Sequence, residues 1–297
     1  KGGPNSRGQQ QLIIGPWLHG GYPKSNKIGE LVFPENAFFD VYAHMTKWFN
    51  HHLKGEDNGI EKDTPVKYYV MGACGELGAP GNVWREASDF PPASTAADWF
   101  LQPDGKLAPK KPTASSASTS YASDPTRPMI LNTVGFPGAR DARAFEAQAE
   151  VRTWTSDVLS EPLEVTGRIK AEVFVSSTAK DTDFVLRVTD VYPDGRSILL
   201  VDYPLRARYH EGFDHQKLLL PGEVTKLAWD IGWVSIIFNK GHQVRITIAS
   251  TGAPYFEPNT QTGGPITHFV TEPGIAAINT IWHDAKHASR VILPVVK

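Results

Sequence analysis

The chain of 297 residues has a single cysteine, Cys74. One thiol closes no intramolecular disulfide and builds no thiolate metal cluster. Long apolar runs are missing too, since none approaches the ~18 residues that a membrane-spanning helix needs. There is no basic surplus. The 30 basic side chains face 32 acidic ones, so nucleic acid is not an expected partner. The first eleven residues are polar, hold no apolar signal core and do not begin with methionine. They read as part of a longer polypeptide, which leaves the compartment open. No internal repeat is found.

What is plentiful is turn chemistry. The 26 glycines and 23 prolines exceed the average usage of ~7% and ~5% and suit strands and turns. Leu12-Ile13-Ile14, ended by Gly15-Pro16, reads as a strand of a parallel sheet. A loop follows, and then apolar residues recur at three- and four-residue steps from Phe38 to Leu53, with Gly55 as a natural stop. This predicts an amphipathic helix with Asp40, Lys47 and Asn50 on its wet side. From Val66 onward the rhythm becomes alternating, as in Val66–Val70, Ala171–Val175, Phe184–Val188 and Val244–Ile248. Pro193-Asp194-Gly195 marks a hairpin, because glycine supplies the positive φ that such turns need. The polar stretch 106–120 reads as a surface loop.

The fold class expected is therefore mainly β, a C-terminal jelly-roll β-sandwich preceded by one strand, a loop and a helix of α/β type. The boundary is placed at residue 63, giving units 1–63 and 64–297. One strand and one helix cannot bury each other's apolar faces. Residues 12–53 thus need a cover, either preceding polypeptide or another chain, a second copy included, and are otherwise expected to be poorly ordered.

One histidine stands out. In Gly15-Pro16-Trp17-Leu18-His19-Gly20 it follows a buried strand directly, and functional groups of α/β sheets collect beyond strand carboxyl ends. A histidine there can relay a proton for a serine nucleophile. A loop histidine without chemistry remains the alternative from position alone.

A resemblance adds weight. Leu12–Gly20, Trp48–Gly59, Pro65–Gly72, Trp84-Arg85, Tyr121–Pro125, Pro137–Arg143, Thr153–Ser156, Glu161–Gly167, Asp181–Phe184, Asp190–Gly195, Leu205–Tyr209, Pro221–Glu223 and His283–Ala285 occur in order. Together they resemble the family of cocaine esterase, X-prolyl dipeptidyl-peptidase and α-amino-acid ester hydrolase. That resemblance implies a serine hydrolase with an α/β-hydrolase domain, a helical cap and a C-terminal jelly roll. It implies that His19 is the triad histidine and that Phe136 reaches the rim of the acyl pocket. It also implies a small acyl ester, amide or peptide as substrate, with no cofactor. The α/β-hydrolase order is serine, acid, histidine. The eighteen residues before His19 contain no Asp, no Glu and no Gly-x-Ser-x-Gly elbow, so the chain alone is expected to be inactive.

Other candidates read as structural. His51-His52 are adjacent and point apart on a helix; His283 and His287 lie in a strand-like context; neither pair is expected to hold metal. Asp181, Asp183, Asp190, Asp194 and Asp202 lack a calcium-loop spacing and are expected at turns and edges. Trp229, Trp233 and Trp282 suit packing, with sugar stacking as the alternative that would make the sandwich a carbohydrate-binding or interaction module.

Overall fold

Strand β1 (Leu12–Ile14) lies at one side of a small three-stranded sheet. The computed structural model describes residues 3–18, 26–128, 138–265 and 273–297. Next come the short hairpin of β2 (Lys27–Ile28) and β3 (Leu31–Val32), then helix α1 (Val41–Lys54). Strand β4 (Val66–Val70) pairs parallel with β1 and antiparallel with β5 (Val83–Ala87). The sheet therefore runs across residue 63. Its apolar face (Ile14, Val66, Tyr68, Val70) packs on Ile237 of the sandwich.

The helix forms where its spacing predicts. The Asp40 carboxylate accepts from the Ala43 amide at 2.9 Å, and Gly55 ends it at φ 72°, where the left-handed region favours glycine. The apolar face is left open, in line with its need for an outside cover, but the flank expected to be wet is held by this chain. Tyr42, Met45, Phe49 and Leu53 are exposed, whereas the polar flank faces the chain. His44 bonds Gln11 at 2.8 Å, Lys47 pairs with Asp63 at 3.3 Å, and Asn58 donates to the Lys47 carbonyl at 2.8 Å. Phe38 and Phe39 precede the helix rather than belonging to it.

The sandwich comprises β6 (Thr95–Leu101), β7 (Lys106–Ala108), β8 (Ser118–Ser123), β9 (Arg152–Ser156), β10 (Leu163–Ser177), β11 (Asp183–Val191), β12 (Ser197–Arg206), β13 (Thr225–Phe238), β14 (Gln243–Ala249), β15 (Ala277–Trp282) and β16 (Arg290–Val295). The hydrogen-bonded order is β12-β11-β14-β9-β7-β6-β16-β10-β15-β8, with β13 on β10. The stretch 106–120 is thus not all loop, because its ends are β7 and β8. Leu107 is a lone buried apolar residue, too short a signal to read.

Strands β10 and β13 carry the core. Val165, Ile169, Ala171, Val173 and Val175 alternate inward and meet Phe184, Leu186 and Val188 of β11. Each such aliphatic chain contributes about 1.5–3 kcal/mol by leaving water. The pairing shifts register after Ile169, where Ile231 is the extra residue between Gly232 and Asp230. The other face of β11 is covered by α2 (Arg143–Glu146), so the whole strand is buried. Among the described residues no helix is long and apolar enough to cross a membrane.

Candidate functional site

Beyond Ile14 the chain turns sharply. A Cβ on Gly15 would lie 2.2 Å from the Trp17 ring, so only glycine lets that indole fold back. Trp17 Nε1 donates to the Ala37 carbonyl at 3.2 Å, and its ring sits 5.8 Å from that of Trp84. These contacts aim Gly15–Leu18 at a cavity of about 400 Å³. The opposite wall is sandwich, formed by Asp190 and Tyr192 of β11 and its turn, Ile198–Asp202 of β12, and Gly138–Arg140. Leu31, Phe33, Met71 and Ile236 make the floor apolar. That size and lining suit a small-molecule pocket.

His19 and Phe136, the two residues singled out from sequence, lie outside the described residues. Leu18, which precedes His19, and Gly138, two positions after Phe136, both line this cavity.

The cavity wall is anchored by a cluster that sequence reading did not find. His242 is wholly buried; Nδ1 meets Asp190 Oδ1 at 2.8 Å and Nε2 meets Glu76 Oε1 at 2.9 Å. Asn239 donates to the other Glu76 oxygen at 2.8 Å. The Tyr192 ring lies 4.4 Å from the imidazole, and the Arg196 guanidinium lies over the Tyr192 ring at 4.4 Å. Burial works against a charged His242, yet its hydrogen bonds to Asp190 and Glu76 prevail and raise it above the usual histidine value. Burial likewise pushes Asp190 up, against the pull of His242.

Because His242 is raised, its contribution to stability is complete below the unfolded value near ~6.5 and fades as pH climbs through the folded one. Unfolding midpoints in urea are therefore expected to fall as pH rises from the unfolded value near ~6.5, and His242→Gln to flatten that slope. An unchanged slope in the variant would assign the titration elsewhere. Cys74, pushed up to about 11 chiefly by burial, does not titrate in that window.

Turn or edge placement holds for three of the five aspartates: Asp181 lies in the β10–β11 connection, Asp194 in the hairpin turn and Asp202 on the terminal strand β12, whereas Asp183 and Asp190 lie in β11. Asp181, Asp183 and Asp190 are buried, each held by Arg208, Arg206 or His242, and Asp202 faces Arg187. Only Asp194 sits in the hairpin turn, beside Arg196. Arginine or histidine side chains partner all five. His51 Nδ1 meets the Glu56 carbonyl at 2.9 Å, His283 meets Thr119 at 2.8 Å, and His287 meets Asp284 at 3.2 Å. Among the described residues no three potential ligands converge on a metal position. Of the three tryptophans, Trp229 is buried and Trp282 donates to Ser176; Trp233 is 48% exposed, with Arg168 stacked on it at 4.7 Å.

Comparison with known proteins follows the same lines. Residues 58–292 match the family described as X-Pro dipeptidyl-peptidase C-terminal non-catalytic domain. Cocaine esterase of Rhodococcus sp. (strain MB1 Bresler) is 31% identical over 305 residues, covering 97% of this chain and 51% of that protein. Among solved structures, an aminopeptidase from a marine sediment Thaumarchaeota archaeon superposes with a TM-score of 0.85 at 27% identity. It is covered to 49%, against 97% of this chain. An α-amino-acid ester hydrolase gives 0.84 at 24% identity, with coverages of 50% and 96%, which speaks for the fold alone. The chain spans about half the length of these relatives. It belongs to the family of X-Pro dipeptidyl-peptidase C-terminal domains, as found in the C-terminal portion of cocaine esterase-type hydrolases.

Proposed function

We propose that this chain is the C-terminal part of a serine hydrolase that cleaves ester or amide bonds, X-Pro peptide bonds among them, through an acyl-serine intermediate. In this reading a serine from preceding polypeptide attacks the carbonyl. His19 takes the serine proton and returns it to the leaving group, and backbone N–H groups hold the oxyanion. Residues 1–63 belong to the hydrolase domain, whose sheet β4 and β5 extend, and the sandwich of the 64–297 unit walls the acyl pocket with Phe136 at its rim. The observation that carries this is the cavity. The loop leaving β1 enters it one residue before His19, and the sandwich supplies the facing wall.

The surface left bare on the other side fits the same reading. Tyr42, Met45, Phe49 and Leu53 form an exposed stripe on α1, and β1 is paired on its β4 side alone among the described residues. Preceding polypeptide would cover both; another chain or a second copy is the competing cover.

The test compares residues 1–297 alone with the same residues joined to the polypeptide encoded upstream. Both receive 4-nitrophenyl esters and an X-Pro 4-nitroanilide. Turnover is expected in the joined protein only; its absence in both overturns the reading. A second reading, a sugar-binding module, is favoured by one feature. Exposed Trp233, Tyr203 and Phe213 line a groove of about 660 Å³ on the sandwich. It becomes the better account where ester turnover fails and soluble glycans bind.

A further inference from the structure

One buried arginine lines the cavity, and a second stands beside the cavity-lining Asp202. Arg187, in the middle of β11, is 1% exposed. Its Cζ lies 4.2 Å from the Phe145 ring, Nη2 donates to the Thr251 carbonyl at 3.2 Å, and Nε stands 3.5 Å from Asp202 Oδ2. Its Nε and Nη1 make no hydrogen bond. Arg140 lines the cavity and is 7% exposed, with its Cζ 5.5 Å from the Tyr255 ring. Its Nη1 has no hydrogen-bond partner, and among the described residues no carboxylate pairs with it.

The two carboxylates on the cavity wall are already committed, Asp190 to His242 at 2.8 Å and Asp202 to Arg187 at 3.5 Å. Of the carboxylates that flank Arg140 in the described residues, Glu30 accepts from the Asp141 amide at 2.8 Å and Asp141 pairs with Arg143 at 2.6 Å. An arginine cannot shed its proton to escape burial. Burial above all pulls Arg187 down to about 10, opposed by Asp202 and aided by the like charge of Arg140. An unpaired buried guanidinium is costly unless something pairs with it. In an apolar pocket the natural complement is a carboxylate, which a guanidinium binds through charge-assisted and often bidentate hydrogen bonds.

We propose that Arg140 is a carboxylate-binding residue of this cavity and that the cavity takes substrates bearing a free acid group. The proposal rests on reading the cavity as the acyl pocket, and its test separates the two ideas. The protein joined to its upstream polypeptide is given 4-nitrophenyl hydrogen adipate and its methyl ester, with spontaneous hydrolysis subtracted. The free acid is expected to have the higher kcat/KM, and Arg140→Met to lower the acid-to-ester ratio by about 10–100-fold. A ratio unchanged by the substitution overturns the proposal. Adipate itself, titrated calorimetrically, is expected to bind the wild type and not the variant, even where neither ester turns over; no binding to the wild type overturns it. Arg140→Met is also expected to keep or raise the melting temperature, because it removes an unpaired buried charge. A clear fall would make Arg140 a structural residue and overturn the proposal.

Discussion

His19→Ala in the protein joined to its upstream polypeptide is expected to lower kcat by about 10⁴-fold, with KM within about threefold. The split follows from what an imidazole does in acyl transfer. It moves the nucleophile's proton in the transition state and contributes little to holding the ground-state substrate. A histidine that merely packed in its loop would act differently, lowering stability and leaving turnover per folded molecule intact. Melting curves therefore accompany the kinetics. His52→Ala serves as the control, because its ring stacks on Trp48 at the far end of α1. Full turnover in His19→Ala would remove the proton relay from this loop.

The parts of the fold that sequence makes plain are those set by local chemistry. The borders of β4, the Gly55 stop and the Pro193–Gly195 hairpin all depend on residues within a few positions. In that hairpin the Tyr192 amide donates to the Arg196 carbonyl at 2.9 Å, and Gly195 adopts φ 87°. The face that a helix presents is not local. The period of α1 is right, but which side is covered depends on neighbours, and here Gln11, Asp63 and Asn58 hold the polar flank. An apolar stripe says that something must cover it and does not say that this chain does.

The site divides in the same way. The turn after β1 is legible because Gly15-Pro16 ends a short apolar strand, although β1 itself is not buried as its sequence suggests. The cavity wall is not. His242 finds Asp190 52 residues away and Glu76 166 away. Charged residues in strands read as solvent-facing until tertiary pairing brings a cation to each, which is why the burial of Asp183 and Asp190 in β11 is not legible. The outer face of β11 shows the consequence. Arg187 and Thr189 occupy positions that alternation assigns to water, and α2 covers them, with Glu146 accepting from Thr189 and Arg245.

The stability cost of that hidden polar network is expected to be large. Asp181 is wholly buried and accepts three hydrogen bonds: Arg208 Nε at 2.7 Å, the Arg208 amide at 3.0 Å and Asn259 Nδ2 at 2.8 Å. Asp181→Ala leaves the Arg208 guanidinium buried with Gln216 as its remaining side-chain partner, and is expected to cost about 3–5 kcal/mol in urea unfolding. Asp181→Asn keeps the shape and one acceptor and should cost less. The double variant Asp181→Ala/Arg208→Met should recover part of the loss, since it removes the stranded charge as well. The exposed pair Lys106–Asp157, at 2.8 Å, supplies the contrast. Solvent screens it, so Asp157→Ala should leave the midpoint where it was. Equal effects of Asp181→Ala and Asp157→Ala would mean that the buried pairs are not what fixes the sandwich edge on which the cavity wall stands.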